Sequence, residues 1–395
     1  MNRENRTLLI LVALVLGASV LVTGAITLRG RFSRTPEVES APTEPPFEHQ
    51  DQASSLSQIA FISDEPTVGA VFVMDGDGTG WEQISESGQG ICLYPAWSPD
   101  GLWLAYWIVE EYSPIKEEIV AGLWVSAVDG SEHMRINGDF SGAATFIPPA
   151  WSPDGMRIAF TSAPREEGTA VSILHVVWTN GSGFEQSIPL EWELQHLAWS
   201  PSGDELLMVS SQYRTQGGNA YVWTDETGEI TEIHVGAEAA DWSPSGTQIV
   251  IADAQQRAVM ILGEDGEPQQ VVVLGAEMPV AVDISPDGSR IAIGTTIGLG
   301  RGNLTQLYFA NYLYILELET GDLYRTVDNA GRIYFGNWSP DSSHFMFYMV
   351  DYGPRPGSQL LAYSGLWDYD IETSLLVQVA ETPGGFAGQG YWSPF

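Results

Sequence analysis

A short segment that keeps returning, Trp-Ser-Pro-Asp-Gly followed closely by an apolar run, limits what this chain can fold into. Trp97-Ser98-Pro99-Asp100-Gly101 precedes Leu104-Ala105-Tyr106, and Trp151-Ser152-Pro153-Asp154-Gly155 precedes Ile158-Ala159-Phe160. Trp199-Ser200-Pro201-Ser202-Gly203 and Trp242-Ser243-Pro244-Ser245-Gly246 stand before Leu206-Leu207-Met208 and Ile249-Val250-Ile251. Diverged copies, Ile284-Ser285-Pro286-Asp287-Gly288 and Trp338-Ser339-Pro340-Asp341-Ser342, lead into Ile291-Ala292-Ile293 and Phe345-Met346-Phe347. A seventh, Trp392-Ser393-Pro394-Phe395, has no run behind it; the matching run, Ile59-Ala60-Phe61, lies near the other end.

Successive motif serines are 54, 48, 43, 42, 54 and 54 residues apart. A repeat of about 40–50 residues built from short strands marks a β-propeller, with one four-stranded blade per repeat. The motif has the chemistry of a turn between two strands. Proline presets φ at the first central position, Asp or Ser suits the second, and Gly accepts the left-handed position after it. The tryptophan supplies a large apolar body to pack between blades. Each repeat also carries a hairpin with turn residues between alternating runs: Asp75-Gly76-Asp77-Gly78, Asp129-Gly130, Asn180-Gly181, Thr227-Gly228, Asp265-Gly266, Thr320-Gly321 and Glu372-Thr373. The expectation is an all-β, seven-bladed propeller over residues 57–395. Its C-terminal strand at Tyr391-Trp392 completes the blade begun at Ile59, which removes the open edges of an unclosed ring.

The repeated W-S-P-D-G-x-x-I-A-F resembles the repeats of TolB-like and other WD-repeat-like propeller proteins, and those of the non-catalytic propellers in prolyl-oligopeptidase-type peptidases. It covers about residues 57–395. The resemblance implies the fold and leaves function open, because one propeller scaffold serves many purposes. TolB itself has six blades and a separate α/β domain ahead of them. The peptidases add a hydrolase domain.

Charge narrows the partners. The 395 residues include 16 Lys+Arg against 51 Asp+Glu, a formal net charge of −35. Nucleic acid and anionic lipid surfaces both demand a basic face, so neither is expected to bind the propeller. The single cysteine, Cys92, sits in the apolar run Ile91-Cys92-Leu93 and reads as a buried small residue.

Residues 1–6 are expected on the cytoplasmic side. Residues 7–28 carry no charge and are long enough to cross a bilayer as a helix. Arg3 and Arg6 precede them; Arg29, Arg31 and Arg34 follow. The expectation is an uncleaved anchor with the propeller outside the cytoplasm, in the periplasm or at the cell exterior. A signal peptide cleaved near Thr23-Gly24-Ala25 is the alternative. Residues 29–56, with Ala41-Pro42-Thr43-Glu44-Pro45-Pro46, lack an apolar period and read as a disordered linker.

No nucleophile elbow, H-E-x-x-H, Walker loop or dinucleotide fingerprint occurs, the six histidines are scattered, and no enzymatic role or cofactor is expected. Three constellations could bind something. Asp75, Asp77 and Glu86 fall at positions 1, 3 and 12 of a calcium-loop spacing, though strands flank them and a hairpin turn is the better reading. Asp241, Asp283 and Asn337 each stand just before a motif, on the strand nearest the axis. There they could hold a divalent cation or ordered water, or each could cap backbone groups separately. Finally, Lys116, Arg165, Arg214, Arg257, Arg301 and Arg355 occupy the loops between second and third strands of six successive repeats, six of the eleven basic residues beyond position 57. Tyr112, Tyr213, Tyr308 and Tyr352 accompany them. Loops on a rigid scaffold carry binding, and such residues suit a protein or anionic ligand. The leading expectation is a non-catalytic binding module acting through that face. A metal-assisted lyase or hydrolase acting on polysaccharide or peptide, and a purely structural envelope spacer, are the other readings.

Overall fold

The computed structural model describes residues 57–63, 69–86, 88, 90–113, 118–136, 140–141, 147–164, 170–180, 184–211, 218–297, 310–327, 332–351, 363–381 and 391–395. The expected anchor at 7–28 and linker at 29–56 lie outside these residues. Among the described residues no helix is long and apolar enough to cross a membrane.

Each motif serine closes the same tight connection. Ser98 donates its N–H to the Trp103 carbonyl and accepts the Trp103 N–H on Oγ at 2.9 Å, while Gly101 N–H bonds the Ser98 carbonyl. Asp100 caps the turn, accepting from Ser98 Oγ and from the Leu102 N–H. The pattern repeats at Ser152, Ser200, Ser243, Ser285 and Ser339. The motif glycines 101, 155, 203, 246 and 288 have φ between +69° and +79°, where a side chain is strained. Ser342 occupies that conformation at +62° and accepts the Asp287 N–H on its Oγ. At the seventh copy the same connection forms across the termini: Ser393 N–H donates to the Gln58 carbonyl at 2.7 Å, and Gln58 N–H to Ser393 Oγ at 3.0 Å.

Twenty-eight strands form among the described residues. The first three are β1 (Gln58–Ser63), β2 (Ala70–Asp75) and β3 (Glu82–Gln83). Next come β4 (Ile91–Trp97), β5 (Trp103–Ser113), β6 (Glu118–Ala127), β7 (His133–Arg135) and β8 (Phe140–Ser141). They are followed by β9 (Ala150–Trp151), β10 (Arg157–Ser162), β11 (Ser172–Trp178) and β12 (Phe184–Leu190). The middle holds β13 (Glu193–Trp199), β14 (Glu205–Ser211), β15 (Gly218–Thr224), β16 (Glu229–Trp242), β17 (Ile249–Asp253), β18 (Ala258–Leu262) and β19 (Pro268–Val273). Then come β20 (Met278–Ile284), β21 (Arg290–Thr296), β22 (Tyr312–Glu317) and β23 (Leu323–Val327). The last are β24 (Arg332–Trp338), β25 (His344–Asp351), β26 (Tyr363–Asp370), β27 (Leu375–Glu381) and β28 (Tyr391–Trp392).

All named pairings are antiparallel, and the order within each sheet follows the chain, as in a propeller. There are two exceptions: β8 pairs with β6, and, as expected, β28 pairs with β1, with Ile59 opposite Trp392 and Ala60 opposite Tyr391. In place of the expected seven separate four-stranded sheets there are six, because β13 to β19 form one seven-stranded sheet. The reason is β16. Its first half pairs with β15, its second half with β17, and no loop separates the halves. Gly236, at φ +96°, turns the strand between them.

Successive units pack face to face through seven apolar clusters among the described residues. Ala60, Val71 and Val73 meet Leu104 and Tyr106. Trp107 and Val125 meet Ile158 and Phe160. Leu174 and Val176 meet Leu206 and Trp223. Leu207 and Val222 meet Ile251 and Met260, so the two halves of the seven-stranded sheet fold onto each other. Val250 and Ile261 meet Ile291 and Leu316; Ala292 and Ile315 meet Phe345 and Phe347. Met346 and Leu366 meet Ile59 and Phe72, which closes the circuit. Cys92 lies in the first of these clusters at 3% exposure, and burial pushes its thiol up to about 11.

Candidate functional site: the inner strands and the long-loop face

The inner strands are fastened to one another near the axis. Motif tryptophans donate their indole N–H to the carbonyl just before the preceding motif: Trp151 to Ala96 at 3.1 Å, Trp199 to Ala150 at 3.1 Å and Trp242 to Ala198 at 3.2 Å. Trp338 does the same to Asp283, and Trp97 to Tyr391, both at 3.0 Å. Two junctions lack this bond. Ile284 has no indole, and the Trp392 indole nitrogen is buried without a partner among the described residues. There a side chain reaches across instead. Asp241 Oδ2 accepts the Ile284 N–H at 3.0 Å; Asn337 Oδ1 accepts the Trp392 N–H at 2.7 Å, and its amide donates to the Trp392 carbonyl. Asp283 Oδ2 accepts the Trp338 N–H at 3.3 Å, reinforcing its junction.

The proposed channel trio is therefore a set of fasteners between neighbouring repeats, a third arrangement beside the shared ion site and purely local capping. Asp241 and Asp283 are half-buried and lie close enough for the charge of one to act on the other. Burial raises both carboxyls, and the neighbouring Asp241 charge raises Asp283 further. Two carboxylates so placed hold one proton between them. Among the described residues no three His, Cys, Asp or Glu side chains group around a common point. A cavity of about 310 Å³ lies where the inner strands converge, lined among others by Pro95, Ala96, Pro149, Asn337 and Tyr391.

This proton sets a pH dependence. The folded state favours a proton that the unfolded chain releases above about pH 4, so the contribution of this pair to stability is fully present below that pH and is lost as pH rises through the raised folded values. Asp283→Asn should remove that loss. Its oxygen can still accept the Trp338 N–H, as the Asn337 oxygen accepts the Trp392 N–H one repeat later, and its NH₂ can donate to an ionised Asp241. The expected result is a melting temperature at pH 8 higher by about 2–5 °C, with little change at pH 4.5. Thermal melts across that range check it.

Farther along the inner strands, extra residues at bulges carry polar groups that the sequence pattern did not single out. Gln195 and Glu238 are these extra residues on β13 and β16, and the Gln195 amide donates to the Glu238 carbonyl at 2.7 Å. Burial pushes Glu238 up to about 7 and His196 down to about 4. A bulge has no residue signature in the sequence, which hid this pair.

The calcium-loop spacing resolves as a hairpin turn. Asp77 Oδ1 accepts the Thr79 N–H and hydroxyl at 2.9 and 2.7 Å, Gly78 N–H bonds the Asp75 carbonyl, and Glu86 is exposed beyond β3. These are the bonds of a turn between two strands.

Of the loop cations, Lys116, Arg165, Arg214, Arg301 and Arg355, with Tyr213, Tyr308 and Tyr352, lie outside the described residues. Tyr112 belongs to β5, opposite Ile119. Arg257 is described, and it is unusual. It is exposed in the turn after β17 with φ +55°, a conformation that side chains avoid. Its guanidinium donates to the Ala276 carbonyl at 3.4 Å and, among the described residues, pairs with no carboxylate. Four other arginines are committed: Arg135 to Glu110, Arg157 to Asp225, Arg290 to Glu317 and Arg325 to Glu277. The last pair is the centre of a network near the same face, in which Glu277 also accepts from Thr295 and from Tyr314 while Arg325 lies over Tyr312.

No protein-family model and no curated protein matches the chain. Solved structures do. TolB from Acinetobacter baumannii aligns at 16% identity and a TM-score of 0.51, over 86% of this chain and 67% of its own. Dihydro-heme d1 dehydrogenase NirN, solved in complex with DHE, aligns at 14% identity and 0.51, over 90% of this chain and 78% of its own. Hydrazine synthase from Kuenenia stuttgartiensis gives 14% and 0.50, over 73% and 79%. TolB, a dehydrogenase and a synthase thus look alike in fold, which is why fold alone does not select an activity. What the chain shares with TolB and these neighbours is the propeller fold.

Proposed function

We propose that this chain is a membrane-anchored, extracytoplasmic, seven-bladed propeller that binds a protein or anionic ligand, without catalysis, on the face carrying the loops between second and third strands. The observation that carries the reading is Arg257. In a chain of net charge −35, an exposed arginine held in a strained turn and paired with no described carboxylate is a cation kept for something outside the fold. The axial carboxylates support it, since their oxygens are engaged by backbone N–H groups of neighbouring repeats. The seven apolar clusters and the matching inner-strand junctions support the blade number, with β16 shared by two blades. The uncharged stretch 7–28 supports the anchor, and the linker 29–56 gives the propeller reach from the bilayer.

The test cross-links the protein in membranes of its source, beside a variant carrying Arg257→Glu, Arg301→Glu and Arg355→Glu, and compares the melting temperatures of the two proteins after purification in detergent. The expected result is a specific adduct in the parent whose yield falls at least about tenfold in the variant, while the melting temperatures agree within about 2 °C. Equal yields from both proteins would refute the assignment of this face.

A further inference from the structure

The outermost strand of the last sheet, β27, lacks the guards of most other fourth strands; the outer half of β16 also lacks them, but it interleaves Glu229, Glu232 and His234 with its apolar residues. It ends the order β24-β25-β26-β27, so its outer edge pairs with no described strand. Outer edges are usually guarded by proline, positive charge or shortness. β12 contains Pro189, β19 begins at Pro268, β23 carries Arg325, and β7 has three residues. β27 has seven residues, no proline and no Lys or Arg. Three consecutive apolar side chains on it are exposed: Leu375 at 60%, Leu376 at 36% and Val377 at 53%.

The patch continues onto the neighbouring sheet. The turn between β2 and β3 abuts β27 so closely that a Cβ on Gly78 would meet the Val379 carbonyl oxygen at 2.7 Å. Trp81, 41% exposed, folds over that turn, its indole donating to the Gly78 carbonyl and its ring meeting Phe61 at 4.7 Å. Around this apolar strip the charge is of one sign. No Lys or Arg occurs between Arg355 and the last residue, or between Arg34 and Lys116. The rim is formed by Asp370 and Glu372 in the turn before β27, and by Asp75, Asp77 and Glu82 on the adjoining hairpin. A second copy of this chain would bring the same acids to the edge, so charge disfavours self-pairing.

We propose that β27 accepts one more strand: an extended segment of a partner protein in which apolar residues alternate with Lys or Arg. Backbone hydrogen bonds to the open edge would supply affinity, the apolar side chains would cover Leu375, Leu376, Val377 and Trp81, and the acids would select the cationic register. This surface lies on the rim of the ring and is independent of the Arg257 face.

The probe is a fluorescent ten-residue peptide of alternating Val and Lys, titrated with the full-length protein in detergent and followed by anisotropy. Its control is the same peptide N-methylated at alternate residues, which keeps charge and side chains but cannot pair as a strand. Saturable binding is expected, weakened at least about tenfold by N-methylation and by the double variant Leu375→Lys/Val377→Lys, and unchanged in Arg257→Glu. Absence of saturable binding, equal affinity for the methylated peptide, or unchanged affinity in the double variant would each overturn the proposal. Sedimentation of the parent without peptide tests the rival occupant: edge-dependent self-association, lost in the double variant, would also overturn it.

Discussion

Deleting residues 391–395 is expected to lower the melting temperature by at least about 10 °C and to broaden the transition. Those residues supply β28, and with it the pairing of Trp392 to Ile59. They also supply Ser393, which stitches Gln58 by two hydrogen bonds, and both groups that Asn337 holds. Burial of Trp392 alone, 6% exposed, is worth about 3–5 kcal/mol when truncated to alanine. The remaining loss comes from an opened inner edge on β1, which also invites aggregation. Trp392→Ala should therefore give roughly half the fall, with a transition that stays sharp. Calorimetry of parent, point variant and deletion separates the two effects. A deletion no worse than Trp392→Ala would show that closure adds nothing beyond one side chain.

The second large effect is expected at Arg157. This side chain is 9% exposed, and it joins two neighbouring repeats: Nη1 meets Asp225 Oδ2 at 2.6 Å, Nη2 donates to the Gly203 carbonyl, and the guanidinium lies 4.7 Å from the Trp199 ring centroid. Removing one partner of such a pair strands a charge in protein, whereas replacing the pair by apolar groups is often neutral. Asp225→Ala should cost about 2–4 kcal/mol, somewhat below a fully buried pair because Asp225 keeps 28% of its side chain in solvent. Arg157→Met should cost less, about 1 kcal/mol. The Arg157→Met/Asp225→Ala double variant should recover part of the Asp225→Ala loss. Denaturant unfolding of the three variants measures the coupling. A double variant that is simply additive would remove the pair as the source.

The motif made the propeller legible because each of its residues has one physical task, and the tasks recur. Serine and aspartate close the turn, glycine takes positive φ, and tryptophan reaches the preceding repeat. The turn residues located the hairpins for the same reason, down to Ser374, which adopts φ +56° where other repeats use glycine. What escaped was set by tertiary placement. The fusion of two units through β16 depends on Gly236, one glycine among 42. Asp241, Asp283 and Asn337 were visible as a triad of equivalent positions, but equivalence along the chain says nothing of direction. Each points at the next repeat's backbone. The Arg157–Asp225 pair spans 68 residues with no periodic cue. The bare edge of β27 became visible only when exposure separated apolar side chains at a rim from those in a core.

The pairing of β1 with β28 has a consequence for the order in which the molecule is made. The Gln58–Ser393 contact joins residues 335 apart, so β1 leaves the ribosome long before its partner β28 is synthesised. Throughout that interval Ile59, Ala60 and Phe61 have β2 on one side and nothing on the other. The remaining repeats can condense in sequence from local contacts, whereas this one must wait for β28. The repeat that β1 begins is the last of the described ones to be finished, and its unfinished edge is where a nascent molecule most needs protection.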